Sequence, residues 1–573
     1  MSPLSKIKNQ IIKAIAEIYP NSNLVASDIG PTPDPKLGDL AVPMFKLAKI
    51  AGKAPSLIAE ELRGKISGVK ALESAEVAGP YLNLRLKKAV VVKEVMAAVA
   101  KDKTKYGNGK ATKEKIMVEY VAPNINKPLH LGHLRNAALG EALCRILETA
   151  GNKVVRANLL SDRGIGVTKA MVAYDKWGDN ETPVSAGVKG DHLVGKYYVM
   201  FDQKQKQDPS LDADVTAMLQ KWEAGDTATR ALWRTMTKWC ADGQNATLKM
   251  LGVKYDKVYR ESLLYKEGSK MALAALEKGI FSKDEKGNVV AKLPGQPDKV
   301  VLRADGTAVY ITTDLPLTLK KMTEFKLTRC LWVVGTEQDL HLRQLVGIMR
   351  LLGYKWADQL EHVSYGHVAL PEGRMKSREG TVVDIDDLVQ HLSELAAAEI
   401  KERHDFLDQS EVDKRAQEIA LGAVKFYLLS VSAPSGMTFN PKESLAFTGK
   451  TGPYLQYTNA RIQSILRKAI EHGSTGAGRV DVSVLTAPAE WQLVMKLSEF
   501  ADIVSAAAKE RDPSVVARYA YDLSKSFAEF YEQVPVLKAD APLRRARLSL
   551  LRAVGLVLGR SLYLLGIPAP KEM

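Results

Sequence analysis

The run Val118-Glu119-Tyr120-Val121-Ala122-Pro123-Asn124-Ile125-Asn126-Lys127-Pro128-Leu129-His130-Leu131-Gly132-His133 decides how this chain reads. Ile116 to Val121 is mostly apolar and partly β-branched, with Glu119 its one charge, which suits a buried parallel strand. Pro123 and Pro128 then disfavour a helix as far as Pro128. Beyond Gly132, Leu134, Ala137, Ala138, Ala142, Ile146 and Leu147 recur at helical spacing up to Ala150. Lys153 to Ala157 restores strand character. The unit therefore reads as strand, helix, strand, with a right-handed crossover.

His130-Leu131-Gly132-His133 falls where the loop enters the helix. Backbone amides and the positive end of the helix dipole point there, which favours a phosphate. Gly132 leaves room for a base or a ribose to approach the backbone. His130 and His133 lie about one helical turn apart, so both rings can reach one phosphate. As a bare pattern His-x-Gly-His is weak, because such histidines are more often surface or metal-site residues. The flanking residues add what the tetrapeptide lacks. The stretch resembles the first signature of class I aminoacyl-tRNA synthetases. Its leading Glu119-Tyr-Val-Ala-Pro-Asn-Ile-Asn-Lys-Pro128 is similar to the version carried by arginyl-tRNA synthetases.

The chain has 573 residues, enough for several domains, with 46% hydrophobic and 26% charged residues, ordinary globular values. Lys and Arg number 81 against 66 Asp and Glu, a net charge of +15. That excess suits a polyanion, and nucleic acid comes before a membrane because no apolar run approaches a spanning helix. A merely basic soluble enzyme would look the same. Cys144, Cys240 and Cys330 share no metal-ligand spacing and fit a reducing compartment. Met1 to Pro20 reads as an amphipathic helix and lacks the apolar core and cleavage site of a secretory leader, so a cytoplasmic protein is expected.

Residues 1–105 read as a small α+β domain and linker. Helical patterns at Leu4–Ile18 and Ala41–Lys49 flank the turn-rich Pro31-Thr-Pro-Asp-Pro-Lys-Leu-Gly-Asp39, and Gly79-Pro80-Tyr81-Leu82-Asn83-Leu84 reads as a turn and a strand. Residues 106–390 read as the nucleotide-binding domain, with a helical insertion at about 178–264. The insertion carries Trp222, Trp233 and Trp239, which are expected in its core rather than as base-stacking platforms. Strands are expected at Val300–Arg303, Ala308–Thr312, Cys330–Gly335 and His362–Leu370, with a helix at Leu340–Leu352. This alternation argues for a parallel sheet covered by helices. Residues 391–573 read as helical, with periodic segments at Tyr454–Ile470, Glu490–Lys509, Pro513–Tyr531 and Leu543–Leu565. Arg544, Arg545, Arg547, Arg552 and Arg560 read as a solvated helix face. Several of these segments are similar to arginyl-tRNA synthetases: Gly38-Asp39 and Gly79–Asn83, Thr448–Tyr457 with Asn459-Ala-Arg461, and the ending Leu564–Met573. The resemblance implies a multidomain α/β protein. It would have a Rossmann-like class I catalytic domain, an N-terminal α+β appended domain that contacts the tRNA elbow, and a C-terminal all-α anticodon-binding bundle.

Two further segments carry chemistry. Gly373-Arg374-Met375-Lys376-Ser377-Arg378-Glu379-Gly380-Thr381 is a basic, glycine-bounded loop of the kind that neutralises charge on a triphosphate. It resembles the second class I signature, Lys-Met-Ser followed by a small residue, Arg and Lys. Here Arg374 and Lys376 take the places of the first lysine and the serine, and Glu379 replaces the last lysine. The resemblance implies that His130, Gly132, His133, Met375, Lys376 and Ser377 bind ATP. His130, His133, Lys127, Lys376 and Arg378 would act on its phosphates, with Lys127 covering for the missing loop lysine.

The other segment is Gly306-Thr-Ala-Val-Tyr310-Ile-Thr-Thr-Asp314, with Gly335-Thr-Glu-Gln338-Asp-Leu-His341 downstream. A bound arginine side chain is planar and always charged, so it needs a carboxylate to receive its fork. The residues alone read better as an ordinary strand-end Tyr and a helix N-cap Asp. By resemblance Tyr310, Asp314 and Glu119 line the guanidinium pocket, and Asn124 and Gln338 hold the α-amino group. The family's arginine at position 313 is Thr313 here.

The resemblance thus implies L-arginine, ATP with Mg²⁺ and tRNA-Arg as substrates, no organic cofactor, no protein-held metal, no membrane, and a monomer. Two readings stay open: a class I synthetase for another amino acid, and a catalytically silent tRNA-binding paralogue.

Overall fold

A computed structural model describes residues 2–66, 68–371, 383–403, 407–473 and 480–573. Arg374, Met375, Lys376, Ser377, Arg378 and Glu379 lie outside the described residues.

A five-stranded parallel sheet organises the middle of the chain, in the order Leu360–Tyr365, Arg329–Gly335, Lys115–Glu119, Lys153–Leu160, Lys257–Arg260. The central strand is buried, as its apolar run requires, with Met117 and Val118 fully covered. Its register runs from Lys115 opposite Lys153 to Glu119 opposite Ala157. The signature helix Leu131–Thr149 connects these two strands across one face. Gly140 lets that helix lie on the ring of Tyr120, where a Cβ would come within 2.2 Å.

Between strand and helix the backbone does something costly. Val121 and Ala122 sit at φ of 72° and 43°, a region that side chains with a Cβ disfavour. Two buried asparagines hold them there. Asn136 Oδ1 accepts the Val121 amide at 2.6 Å, and Asn158 Oδ1 accepts the Ala122 amide at 3.1 Å. Asn136 Nδ2 in turn donates to the Val333 carbonyl at 2.8 Å and meets the Tyr365 hydroxyl at 3.2 Å. One side chain thus ties the strained loop, the signature helix and two strands together.

Four expectations about the elements need correction. Ala308–Thr312 is not a strand: Tyr310 begins the helix Tyr310–Glu324, and the Thr312 hydroxyl accepts the Val309 amide at 2.9 Å. Val300–Arg303 does contain a strand, Lys299–Leu302, but it lies in a separate antiparallel sheet with Ser282–Lys283 and Val289–Ala291. The insertion's long helices, Gly190–Gln207, Leu211–Ala224 and Thr227–Met250, end before Lys257–Arg260, which is the edge strand of the main sheet. In the N-terminal part, Ala41–Lys49 divides into the strand Leu40–Pro43 and the helix Phe45–Ala51. That strand belongs to a four-stranded antiparallel sheet, against which the helix Pro55–Arg63 packs.

Beyond the sheet the chain is mostly helical, apart from the short strand pair Val368–Ala369 and Met437–Thr438, and Gly452–Glu471, Pro488–Glu510, Ser514–Gln533 and Ala541–Leu564 are close to the expected bounds. Arg547 departs from the solvated-face reading. It is buried and paired with Glu490 at 2.7 Å. Trp222 is buried, with Arg230 over its ring and Trp233 edge-on, so it belongs to the insertion's core. All three cysteines are buried and free. No helix among the described residues is long and apolar enough to cross a membrane.

Candidate active site

His130 caps the signature helix. Its Nδ1 accepts the Gly132 amide at 3.2 Å, while His133 Nδ1 accepts the His130 amide at 3.1 Å. The two rings lie 3.8 Å apart, centre to centre. With both Nδ1 atoms engaged as acceptors, a neutral ring carries its proton on Nε2. The rings are neutral. Burial, then the charge of Lys127, pushes His130 down to about 4, and burial, the other ring and Lys127 hold His133 well below its ordinary value. Two Nε2–H donors at a helix N-terminus suit phosphate oxygens without adding a proton to the site. A Cβ on Gly132 would sit 3.0 Å from the His130 ring.

The insertion positions Lys127. Gln244 Nε2 donates to the carbonyls of Asn124 and Lys127 at 2.9 and 2.8 Å, and Gly195 packs against Pro128. Lys127 opens on a cavity of about 510 Å³ that His130, His192, Lys196 and Asp384 also line.

Past residues 372–382, the described chain resumes beside the signature. Leu131 donates to the Val383 carbonyl at 3.2 Å, Ile385 donates to the Leu129 carbonyl at 3.1 Å, and His130 and Asp384 form an antiparallel bridge. Below this, His192 and Lys189 of the insertion and Thr247 converge on Asp386. Asp191, His192 and Asp386 could together ligate a metal ion. The Lys189 ammonium already bonds Asp386, so that cluster carries its own cation.

The amino-acid candidates gather at the carboxyl ends of the strands, where open α/β sheets bind ligands. Asn124, exposed, bridges to Ser161 just past the neighbouring strand. Asp314 lies one turn into its helix and meets His341 Nε2 at 2.7 Å. His341 is one turn into the helix Asp339–Leu351, which the exposed Gln338 precedes. Tyr310 stands at the start of the Asp314 helix, 83% exposed, and so is open to a ligand. Glu119 is engaged elsewhere. It is 6% exposed, and its Oε2 lies 2.5 Å from the ammonium of Lys321, itself 1% exposed. Lys321 is on the same helix as Asp314, about two turns further along. The charge of Glu119 is therefore already balanced, and Asp314, whose side chain is 27% exposed, is the candidate carboxylate open to solvent.

Sequence reasoning gave no role to His341, Lys321 or Asp384.

A family model described as the class I tRNA synthetase (R) catalytic domain matches residues 94–440. An arginyl-tRNA synthetase N-terminal domain matches residues 5–86, and a DALR anticodon-binding domain matches residues 455–573. The arginine–tRNA ligase of Treponema denticola is 42% identical over 553 residues, 94% of each chain. That of Borrelia turicatae is 38% identical over 589 residues and the full length of both. Among solved structures, the arginyl-tRNA synthetase of Thermus thermophilus superposes with a TM-score of 0.84 at 29% identity, over 98% of this chain and 99% of that one.

Proposed function

The chain belongs to the arginyl-tRNA synthetase family of class I, and from that premise we propose how its own residues divide the work. It is an arginine–tRNA ligase that spends ATP. In the first step an arginine carboxylate oxygen bonds to the α-phosphorus of ATP, and the bond to the β-phosphate breaks. Pyrophosphate leaves with that electron pair. In the second step the 2′-hydroxyl of the terminal adenosine of tRNA-Arg attacks the carbonyl carbon, and AMP departs. Both nucleophiles arrive with the substrates, so the protein supplies position and charge.

His130 and His133 donate through Nε2 to the phosphates as neutral groups. Lys127 supplies positive charge beside them, shared with Lys376 and Arg378 of the basic segment. Gly132, Met375, Lys376 and Ser377 seat the nucleotide, which brings its Mg²⁺ as part of the substrate. Asp314, with Tyr310, receives the guanidinium, while Asn124 and Gln338 hold the α-amino group. Glu119 serves from behind, as the partner of Lys321. One observation carries this reading: past the strand ends Asn124 bridges to Ser161, and Asp314 meets His341 on the helix that Gln338 precedes.

Residues 1–105 would meet the tRNA elbow, 106–390 hold the chemistry, and 391–573 end in the anticodon-binding bundle. The +15 charge fits so large a polyanion. The enzyme works as a monomer in the cytoplasm.

Charging of tRNA-Arg with each of the twenty amino acids tests the reading. Arginine alone should be esterified, and the ester should vanish when the terminal ribose is oxidised with periodate. Charging with any other amino acid at a comparable rate rejects it.

Lys127→Ala should slow adenylate formation by roughly 10- to 100-fold, less than loss of a sole donor because the basic segment shares the load. Transfer from preformed arginyl-adenylate should stay near the parental rate. Single-turnover measurement of each step decides this, and an equal loss in both steps would assign Lys127 to general folding of the loop.

A further inference from the structure

One buried cation has no part in the reaction above. Lys425 belongs to the helix Gln409–Leu429 and is 7% exposed. Its ammonium donates to the carbonyls of Leu251 and Gly566, each at 2.7 Å. Each carbonyl belongs to the end of a helix. Thr227–Met250 closes with Gly252 donating to the Lys249 carbonyl at 3.0 Å and Val253 to the Leu248 carbonyl at 2.9 Å. Ala541–Leu564 closes in the same way, with Gly566 donating to Tyr563 at 3.0 Å and Ile567 to Leu562 at 2.9 Å. Both turns pass through a left-handed glycine, Gly252 at φ of 74° and Gly566 at 67°. Lys425 takes the carbonyls of Leu251 and Gly566, where the negative ends of the two helices meet. Burial, then Arg145, pushes the ammonium down to about 8 against the pull of Glu141, so it stays charged at neutral pH. Arg145 of the signature helix holds the last helix a second time, donating to the Tyr563 carbonyl at 2.8 Å.

The helix Thr227–Met250 leads from this clasp back to the site. Gln244, Thr247 and Leu251 are spaced by three and four residues, so they share one face of the helix and its cap. That face meets the site twice. Gln244, 2% exposed, holds the carbonyls of Asn124 and Lys127. Thr247 donates to Asp386 Oδ1 at 2.9 Å, two residues past the Asp384 bridged to His130. From Leu251 to Gln244 is only about 10 Å along the axis. Nothing soft lies between this helix and its neighbour Gly190–Gln207. A Cβ on Gly243 would come within 2.1 Å of Asp191 Oδ1, and one on Gly190 within 2.3 Å of the Trp239 carbonyl. Backbones packed this closely pass a shift along rather than absorb it.

We propose that Lys425 is a positioning residue for adenylate formation, acting through Leu251 and Gln244 on the loop that carries Lys127. This rests on the phosphate role proposed for Lys127 above. Lys425 touches no substrate. By clasping Leu251 to the fixed end of the last helix, it sets where the helix Thr227–Met250 lies along its own axis. Gln244 carries that setting to the Lys127 main chain. Without the ammonium, two carbonyls at helix ends lose their donor inside the protein, and the Leu251 end settles elsewhere. Lys127 then meets the phosphates from a displaced main chain, and a displacement of an ångström or less is enough to slow a step that depends on position. Transfer to the tRNA does not use that contact, because pyrophosphate has already left.

Single-turnover rates of adenylate formation and of transfer, measured on the full chain with tRNA-Arg, test this. Lys425→Met keeps the length of the side chain and removes its charge and donors. It should slow adenylate formation by ~3- to 30-fold and leave transfer from preformed arginyl-adenylate near the parental rate. Lys425→Gln, which keeps an amide donor, should fall between the parent and Lys425→Met. Gln244→Met, one link closer to Lys127, should slow the same step at least as much. Loss of folded enzyme lowers the amplitude of both steps and not the rate of one, so the split separates positioning from folding. The route is read by combining Lys425→Met with Lys127→Ala: the pair should be no more than ~2-fold slower than Lys127→Ala alone. A parental rate of adenylate formation in both Lys425 variants, an equal loss of rate in both steps, or an additive loss in the pair overturns the proposal. Lys127→Ala by itself tells two failures apart. If it forms adenylate at the parental rate, the phosphate role of Lys127 falls and this proposal with it. If it is slow while Lys425→Met is parental, only the Lys425 assignment falls.

Discussion

Asp314→Asn should raise the arginine concentration needed for half-maximal adenylate formation by about 30- to 1,000-fold and leave that for ATP within a few-fold. The reasoning is electrostatic. A guanidinium cannot lose its proton, so removing the carboxylate that receives it leaves a charge without its partner. The cost of such a loss is about 2–4 kcal/mol when the site is partly closed to water, which converts to that range of affinity. Asparagine keeps the shape and keeps an oxygen that His341 can still approach, so the helix Tyr310–Glu324 should hold its place. Steady-state kinetics with each substrate varied in turn reads the result. Equal loss for arginine and ATP would mean that Asp314 only supports the fold.

His133→Ala should lower kcat for adenylate formation by ~10²–10³ while the KM for ATP moves only a few-fold. A single preorganised donor aimed at developing charge typically contributes that much. Its Nε2–H comes at no protonation cost, since burial, the neighbouring ring and Lys127 keep His133 neutral. The same ring also accepts the His130 amide, so the variant loses a cap as well as a donor. That structural part costs about 0.5–2 kcal/mol of stability and should appear in the melting temperature. It does not by itself change kcat at saturating substrate. An effect confined to the KM for ATP would assign His133 to ground-state binding.

The parts of the site that were legible in the sequence are those set by neighbouring residues. His130, Gly132 and His133 interact at spacings of two and three, and a helix start explains all three. The flanking strands announce themselves by apolar, β-branched runs. Ala308–Thr312 misled for the same reason, since Val309, Ile311, Thr312 and Thr313 look like a strand. What overrides propensity there is tertiary. The Thr312 hydroxyl caps the helix start and reaches the Val301 carbonyl. Gly268 lets another helix approach the Thr312 carbonyl, which Pro316 leaves without its usual helical donor. Charge pairing was equally out of reach. Nothing near Glu119 in the sequence points to Lys321. The fold therefore read well where its signals were local. The division of labour among the carboxylates needed the distances.

The account's central claim is that carboxylates at the strand ends select a cation. Citrulline tests it most directly, because it matches arginine in size and hydrogen-bonding shape but carries a neutral ureido group. ATP–pyrophosphate exchange should be measured with both amino acids, in the presence of tRNA-Arg, on the parent and on Asp314→Asn. The account predicts that the parent favours arginine over citrulline by at least ~10³-fold in kcat/KM, and that Asp314→Asn narrows this preference by ten-fold or more, mainly through weaker use of arginine. Citrulline within ten-fold of arginine on the parent, or an unchanged preference in Asp314→Asn, would contradict it.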